Sequence, residues 1–124
     1  MIRITIEGDA IPAARPRFSG RRAYQPARNV EYRQVVQWQA KAAMSGTKPL
    51  QGALTATIKL YRKFKTTCKR YGDVDNHLKA IFDALNRIVF EDDAQIVRCV
   101  VEKFTDKARP RTEIFIAPAD APPA

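Results

Sequence analysis

The chain has 124 residues, 45% hydrophobic and 28% charged, with a formal net charge of +9 at pH 7. That length suits one domain whose core folds without staples, and a single histidine with two distant cysteines argues against a zinc site. No apolar run approaches a membrane span, no secretory leader pattern opens the chain, and the free thiols fit a cytoplasmic location.

Ile2, Ile4 and Ile6 alternate with Arg3, Thr5 and Glu7, the period of a strand with one buried face. Residues 10–28 carry Pro12, Pro16 and Pro26, a Ser19-Gly20 turn and the cations Arg15, Arg17, Arg21, Arg22 and Arg28. They predict a loop or short exposed hairpin whose guanidiniums meet phosphate. Phe18 and Tyr24 could stack on bases there or pin the hairpin. From Asn29, the positions Tyr32, Val35, Val36, Ala40 and Ala43 recur at helical spacing until Ser45-Gly46, a helix of about four turns. Trp38 on that helix suits a core or an interface.

Leu54, Ala56, Ile58 and Leu60 alternate with polar partners as a second strand. A basic stretch follows, in which Lys69 and Arg70 join the arginines as candidate DNA contacts. Leu78, Ile81, Phe82 and Leu85 mark a second helix with Asp75 at or near its start, and strands over 96–104 and 113–116 close the chain as a hairpin. The expectation is one α+β domain over residues 1–117: a mixed sheet of about four strands plus a basic hairpin, packed with two main helices. The Ala/Pro tail, 118–124, reads as disordered.

Charge is not spread evenly along this chain. Residues 1–72 carry a net +12, residues 73–93 a net −4, and residues 94–124 a net +1. A small acidic site in a basic field suits a metal-dependent nuclease: Lys and Arg attract the phosphodiester backbone, and carboxylates hold a hard cation. Asp73, Asp75 and Asp93 are candidate ligands for Mg²⁺ or Mn²⁺, with Asn76 supporting them and Asp92 in reserve. Lys79 stands four residues after Asp75, one helical turn in, as a cationic donor toward phosphate. Singly, each aspartate suits a helix cap or a turn; together, in a chain otherwise poor in acid, they favour a site. His77 reads as structural or exposed, and the EF-hand pattern is missing.

The run Asp73-Val74-Asp75-Asn76-His77-Leu78-Lys79-Ala80-Ile81-Phe82-Asp83-Ala84-Leu85, followed by Asp92-Asp93-Ala94-Gln95-Ile96-Val97, closely resembles the signature of the RusA family of Holliday-junction resolvases, common in phages and prophages. Pro12 to Phe18, the Tyr24-Gln25-Pro26 step and Lys103 agree with it, so the resemblance covers nearly the whole chain. It implies a homodimeric endodeoxyribonuclease of recombination and repair. Such an enzyme grips a four-way DNA junction and makes paired symmetric nicks with magnesium or manganese, without a small-molecule cofactor or a membrane. By position the resemblance assigns the three carboxylates to Asp73, Asp75 and Asp93 and the lysine to Lys79. The chain departs from some relatives at Gly72, where they carry a basic residue, and in a slightly shorter connector before Asp92. A substrate with two-fold symmetry that is cut twice independently favours a two-fold dimer. The rival readings are a metal-dependent nuclease of other structure preference and a non-catalytic junction-binding protein on the same fold.

Overall fold

The computed structural model describes residues 1–14, 17–19, 22–24 and 26–120, the two three-residue segments as backbone alone. Its elements follow the chain as β1 (Ile2–Glu7), β2 (Arg17–Ser19), β3 (Arg22–Tyr24), α1 (Ala27–Met44), β4 (Leu54–Arg62), α2 (Val74–Leu85), β5 (Ile96–Thr105) and β6 (Arg111–Pro118). Short 3₁₀ turns at Lys69–Tyr71 and Asp93–Gln95 precede α2 and β5. This is the expected α+β architecture, a four-stranded mixed sheet with two helices and a separate β2–β3 hairpin.

The sheet runs β1-β6-β4-β5. β6 is antiparallel to both β1 and β4, whereas β4 and β5 are parallel. Parallel neighbours need a crossover, and α2 supplies it. The sequence suggests that the last two strands pair as a hairpin; instead β6 inserts between β1 and β4, and β5 forms the opposite edge. Alternation specifies which face a strand buries, not which strand lies beside it, and β6 gains two partners in the middle of the sheet.

One face of the sheet carries the core. Ile4 and Ile6 of β1, Leu54, Ile58 and Leu60 of β4, and Ile114 and Ile116 of β6 are buried against Val36, Ala40 and Met44 of α1 and Ile81, Ala84 and Leu85 of α2. Each such side chain contributes about 1.5–3 kcal/mol by leaving water. The spacing of four from Tyr32 through Val36 and Ala40 to Met44 sets the buried stripe of α1. Trp38 points away from that stripe, 78% exposed, so it belongs to the surface and not to the core.

The other face is open. Arg3 lies over Phe115, Tyr61 stacks on Phe104 with ring centres 4.9 Å apart, and Arg111 covers Tyr61 at 3.7 Å. Cys68 and Cys99 are both free thiols, and no helix among the described residues is long and apolar enough to cross a membrane. Residues 121–124 of the Ala/Pro tail lie outside the described residues.

Candidate functional site

Asp73 is the N-cap of α2, in extended conformation, and its carbonyl accepts the first helical bond from His77 N–H at 3.1 Å. Its carboxylate makes no capping hydrogen bond, although capping is the usual reason for an aspartate there. Asp75 follows in the first turn. Both are exposed, and among the described residues neither carboxylate has a hydrogen-bond or ion-pair partner. The end of a helix that favours negative charge therefore presents two carboxylates with uncommitted oxygens. Lys79, one turn beyond Asp75, is also exposed and without an ion pair among the described residues. It borders a cleft of about 120 Å³ between α1 and α2, with Asp83, Asn29 and Arg33 on its walls. Asn76, in the first turn, is exposed, and its backbone carbonyl accepts from Ala13 N–H at 2.9 Å, tying the proline-rich loop to α2.

A buried polar network fixes the backbone that presents the aspartates. Arg62, the last residue of β4, is buried and donates from Nη1 to the carbonyls of Tyr71 (2.5 Å) and Arg70 (3.2 Å). The Tyr71 hydroxyl is wedged between the ends of β4 and β5, within 2.6 Å of the Leu60 carbonyl, 2.7 Å of the Phe104 carbonyl and 3.1 Å of the Phe104 nitrogen. Burial pushes its phenol above the ordinary tyrosine value. His77 lies beneath the loop, Nε2 2.6 Å from the Tyr71 carbonyl, and Lys103 donates from Nζ to the Gly72 carbonyl at 3.3 Å. Desolvation lowers the His77 pKa from 6.5, so at neutral pH the ring is uncharged and Nε2 carries the proton it donates.

Gly72 stands inside this network with φ +93°, a conformation that side chains other than glycine's rarely adopt. A Cβ there would lie 2.8 Å from His77 Nε2 and 2.9 Å from Pro12 Cγ. Any side chain here would be strained by the backbone and would have to displace the histidine or the proline. Sequence reading left Arg62 and Tyr71 out of the site. One signal was available, because Arg62 continues the inward-facing series Leu54, Ala56, Ile58 and Leu60, and a charge at an inward position needs a buried partner.

Asp93 stands elsewhere. It opens the 3₁₀ turn that leads into β5, beyond the far end of α2. Gln95 ties that turn to the Leu50 and Gly52 carbonyls, beside the start of β4, where Leu54 pairs with Ile96. Gly72, by contrast, meets Lys103 near the opposite end of β5. The seven steps from Ile96 to Lys103 span about 23 Å of strand, and the 12 residues of α2 span about 18 Å. A single chain thus leaves Asp93 on the order of 20 Å from Asp73 and Asp75. Consistent with this, among the described residues no group of three or more His, Cys, Asp or Glu side chains could hold a metal ion. Asp92 caps the 3₁₀ turn by accepting from Ala94 N–H, with Gln95 closing the reciprocal capping box.

Of the candidate DNA contacts, Lys69 and Arg70 lie exposed on the 3₁₀ turn just before Gly72. Arg15 and Arg21 fall outside the described residues. Arg17 and Arg22 are described as backbone only, in β2 and β3.

Comparison with known proteins bears on this arrangement. A family model described as Endodeoxyribonuclease RusA matches residues 7–117. The chain is also similar to a protein of Bacillus subtilis (strain 168) named uncharacterized protein YqaN, 30% identical over 141 residues that cover 97% of this chain and 98% of that protein.

Proposed function

The chain belongs to the RusA endodeoxyribonuclease family, whose activity is on Holliday-junction DNA, and from that premise we propose that it nicks four-way junctions in symmetric pairs, as a homodimer, with magnesium or manganese. The observation that carries the reading is the pair of uncommitted carboxylates, Asp73 and Asp75, on a rigidly held helix start one turn from Lys79. An aspartate pair kept only for folding would be spent on a cap or an ion pair, and among the described residues these are not.

The donor chemistry fits a hard divalent ion, which takes one or two carboxylates and completes its shell with water and substrate phosphate. Asp73 and Asp75 would hold it. When bound, the ion supplies Lewis acidity toward the phosphodiester. Lys79 donates hydrogen bonds to the non-bridging phosphate oxygens as their charge grows. Lys69, Arg70 and the arginines of the β2–β3 segment hold the DNA backbone, and Arg62, Tyr71, His77 and Lys103 keep the aspartates' backbone in place. Asp93 lies too far away to join Asp73 and Asp75 of its own chain, so we assign it to the site of a second copy, and each centre is then built from two chains. Dimerisation in this reading completes the chemistry as well as matching the symmetry of the junction.

The test is incubation of the purified chain with a synthetic four-way junction, with and without Mg²⁺, beside flap and linear duplex controls. Symmetric, magnesium-dependent nicks in the junction alone are expected. Equal cutting of all three substrates would move the assignment to a nuclease of broader structure preference.

A further inference from the structure

We propose that the cleft between α1 and α2 receives one nucleobase displaced from its stack at the DNA branch point, a guanine read by Arg33 and Asp83; the inference rests on the nuclease reading above and names what that site recognises beside the phosphate. Asp75, Lys79 and Asp83 follow one another at four-residue steps along one side of α2, and all three are exposed. Each step is about 6 Å of helix, close to the reach from a phosphate to its own base. With Asp75 on the metal ion and Lys79 on the phosphate oxygens, the base of that nucleotide falls at Asp83, on the wall of the cleft.

The cleft suits a flat ring with polar edges. It holds about 120 Å³, and Ile11, Val30 and Ala80 give it apolar walls that can lie against the faces of a base. Arg33, Lys79 and Asp83 stand around it, yet among the described residues none of the three has an ion pair or a hydrogen bond, with each other or elsewhere. Opposite charges that share a rim without neutralising each other suit a ligand that carries both donors and acceptors. A bare phosphate offers acceptors alone and would meet the charge of Asp83. Guanine matches the pair: its N1–H and N2–H₂ lie side by side and donate to the two oxygens of one carboxylate, while O6 and N7 accept from a guanidinium.

The walls are held before any DNA arrives. Asn29 donates from Nδ2 to the Pro12 carbonyl at 2.9 Å, and the Ala13 N–H bonds the Asn76 carbonyl at 2.9 Å, so residues 11–14 are tied to α1 on one side and to α2 on the other. Asn29 Oδ1, at the same wall, is buried with no hydrogen-bond partner among the described residues, a cost that the remaining N–H of the guanine amino group would remove. Displacing a base costs least where stacking is already broken. A four-way junction breaks it at the branch point and a continuous duplex nowhere, so one cleft favours junctions over duplex as well as guanine over other bases.

Base preference and base displacement test this separately. Synthetic four-way junctions carrying each of the four bases in turn at the positions flanking the branch point, with partners changed to keep pairing, are cut in competition. Wild-type chain should favour guanine at one position by roughly tenfold or more, and inosine there, which lacks the N2 amino group, should lose part of that preference. Asp83→Asn should bring the preference to about threefold or less; this ratio is read within one preparation, so lost stability does not move it. Without magnesium, 2-aminopurine at the favoured position should brighten at least about threefold on binding in a junction, as it leaves the stack, and not in a duplex. Ala80→Phe, which fills the cleft, should abolish the brightening while thermal melts show a folded chain. No preference for guanine, a preference that Asp83→Asn leaves intact, or brightening that survives in folded Ala80→Phe would each overturn the proposal. A chain that brightens the probe in junctions alone, loses this with Ala80→Phe and cuts nothing supports the cleft and removes the nuclease reading. One that cuts junctions equally at all four bases and never brightens the probe keeps the nuclease reading and overturns the cleft.

Discussion

The two ends of α2 use aspartate in opposite ways. At the far end, Asp92 and Gln95 form a capping box, so their polar groups are spent on making the turn into β5. At the near end, the turn is made by other means: a positive-φ glycine, the buried Arg62, Tyr71 and His77, and the partly buried Lys103, which hold its carbonyls. Among the described residues, Asp73 and Asp75 are left with their oxygens free. Where the backbone is secured by buried neutral and cationic groups, the carboxylates can serve a ligand; where carboxylates secure the backbone, they cannot do both. Asp93 is the exception at the far end, because it opens the turn without capping it.

That contrast orders the effects of substitution. Asp75→Asn and Asp93→Asn should each lower junction cleavage about 1,000-fold or more, matching ~4 kcal/mol of lost charge stabilisation. Gel-shift affinity for the junction should hold or rise as a repulsive charge disappears; cutting at wild-type rate by either variant would break the assignment. Lys79→Ala should cost roughly 100-fold in rate with little change in junction affinity. Equal losses in both would make Lys79 a binding residue.

Smaller effects separate the two ends by stability. Gly72→Ala should destabilise by about 2 kcal/mol through its left-handed backbone and its crowding against His77 and Pro12. Asp92→Ala should cost only ~1 kcal/mol in urea unfolding, the value of a cap, and leave cleavage intact. If Asp92→Ala abolished cleavage while the fold stayed stable, the contrast between the two ends would fail.

The smallest effect is a pH dependence. Folding lowers the His77 pKa, chiefly by desolvation, so below the ordinary value of 6.5 the unfolded chain takes up a proton that the folded chain resists. Stability from this group is therefore fully present above 6.5 and lost as pH falls toward the lowered native value. Urea midpoints should drop between about pH 7.5 and about pH 5, and His77→Gln should reduce that drop. An unchanged drop would place the acid sensitivity elsewhere.

Much of the fold was legible in the sequence because it is written in short-range periods. The alternation of Ile2, Ile4 and Ile6 and of Leu54 through Leu60 matches the buried faces of β1 and β4. The stripe Leu78, Ile81, Phe82 and Leu85 identified α2, and Asp75 falls in its first turn as expected. What failed was long-range. Nothing in a period of two says that β6 inserts between β1 and β4, and that insertion makes β5 an edge. Nor does spacing say whether aspartates up to twenty positions apart meet within one chain or between two; within this chain α2 lies between them as a spacer. The role of Gly72 depends on Pro12 and His77, neighbours that only the folded chain supplies.

The claim on which the rest turns is that each cutting centre takes Asp73 and Asp75 from one chain and Asp93 from another. Mixing two inactive variants, Asp75→Asn and Asp93→Asn, after subunit exchange measures it directly. If the centre is shared, half of all dimers in an equimolar mixture carry one chain of each kind, and each of these holds one fully intact centre, so nicking returns to roughly a quarter of the wild-type level. If mixed dimers form and the junction stays uncut, the shared centre is wrong.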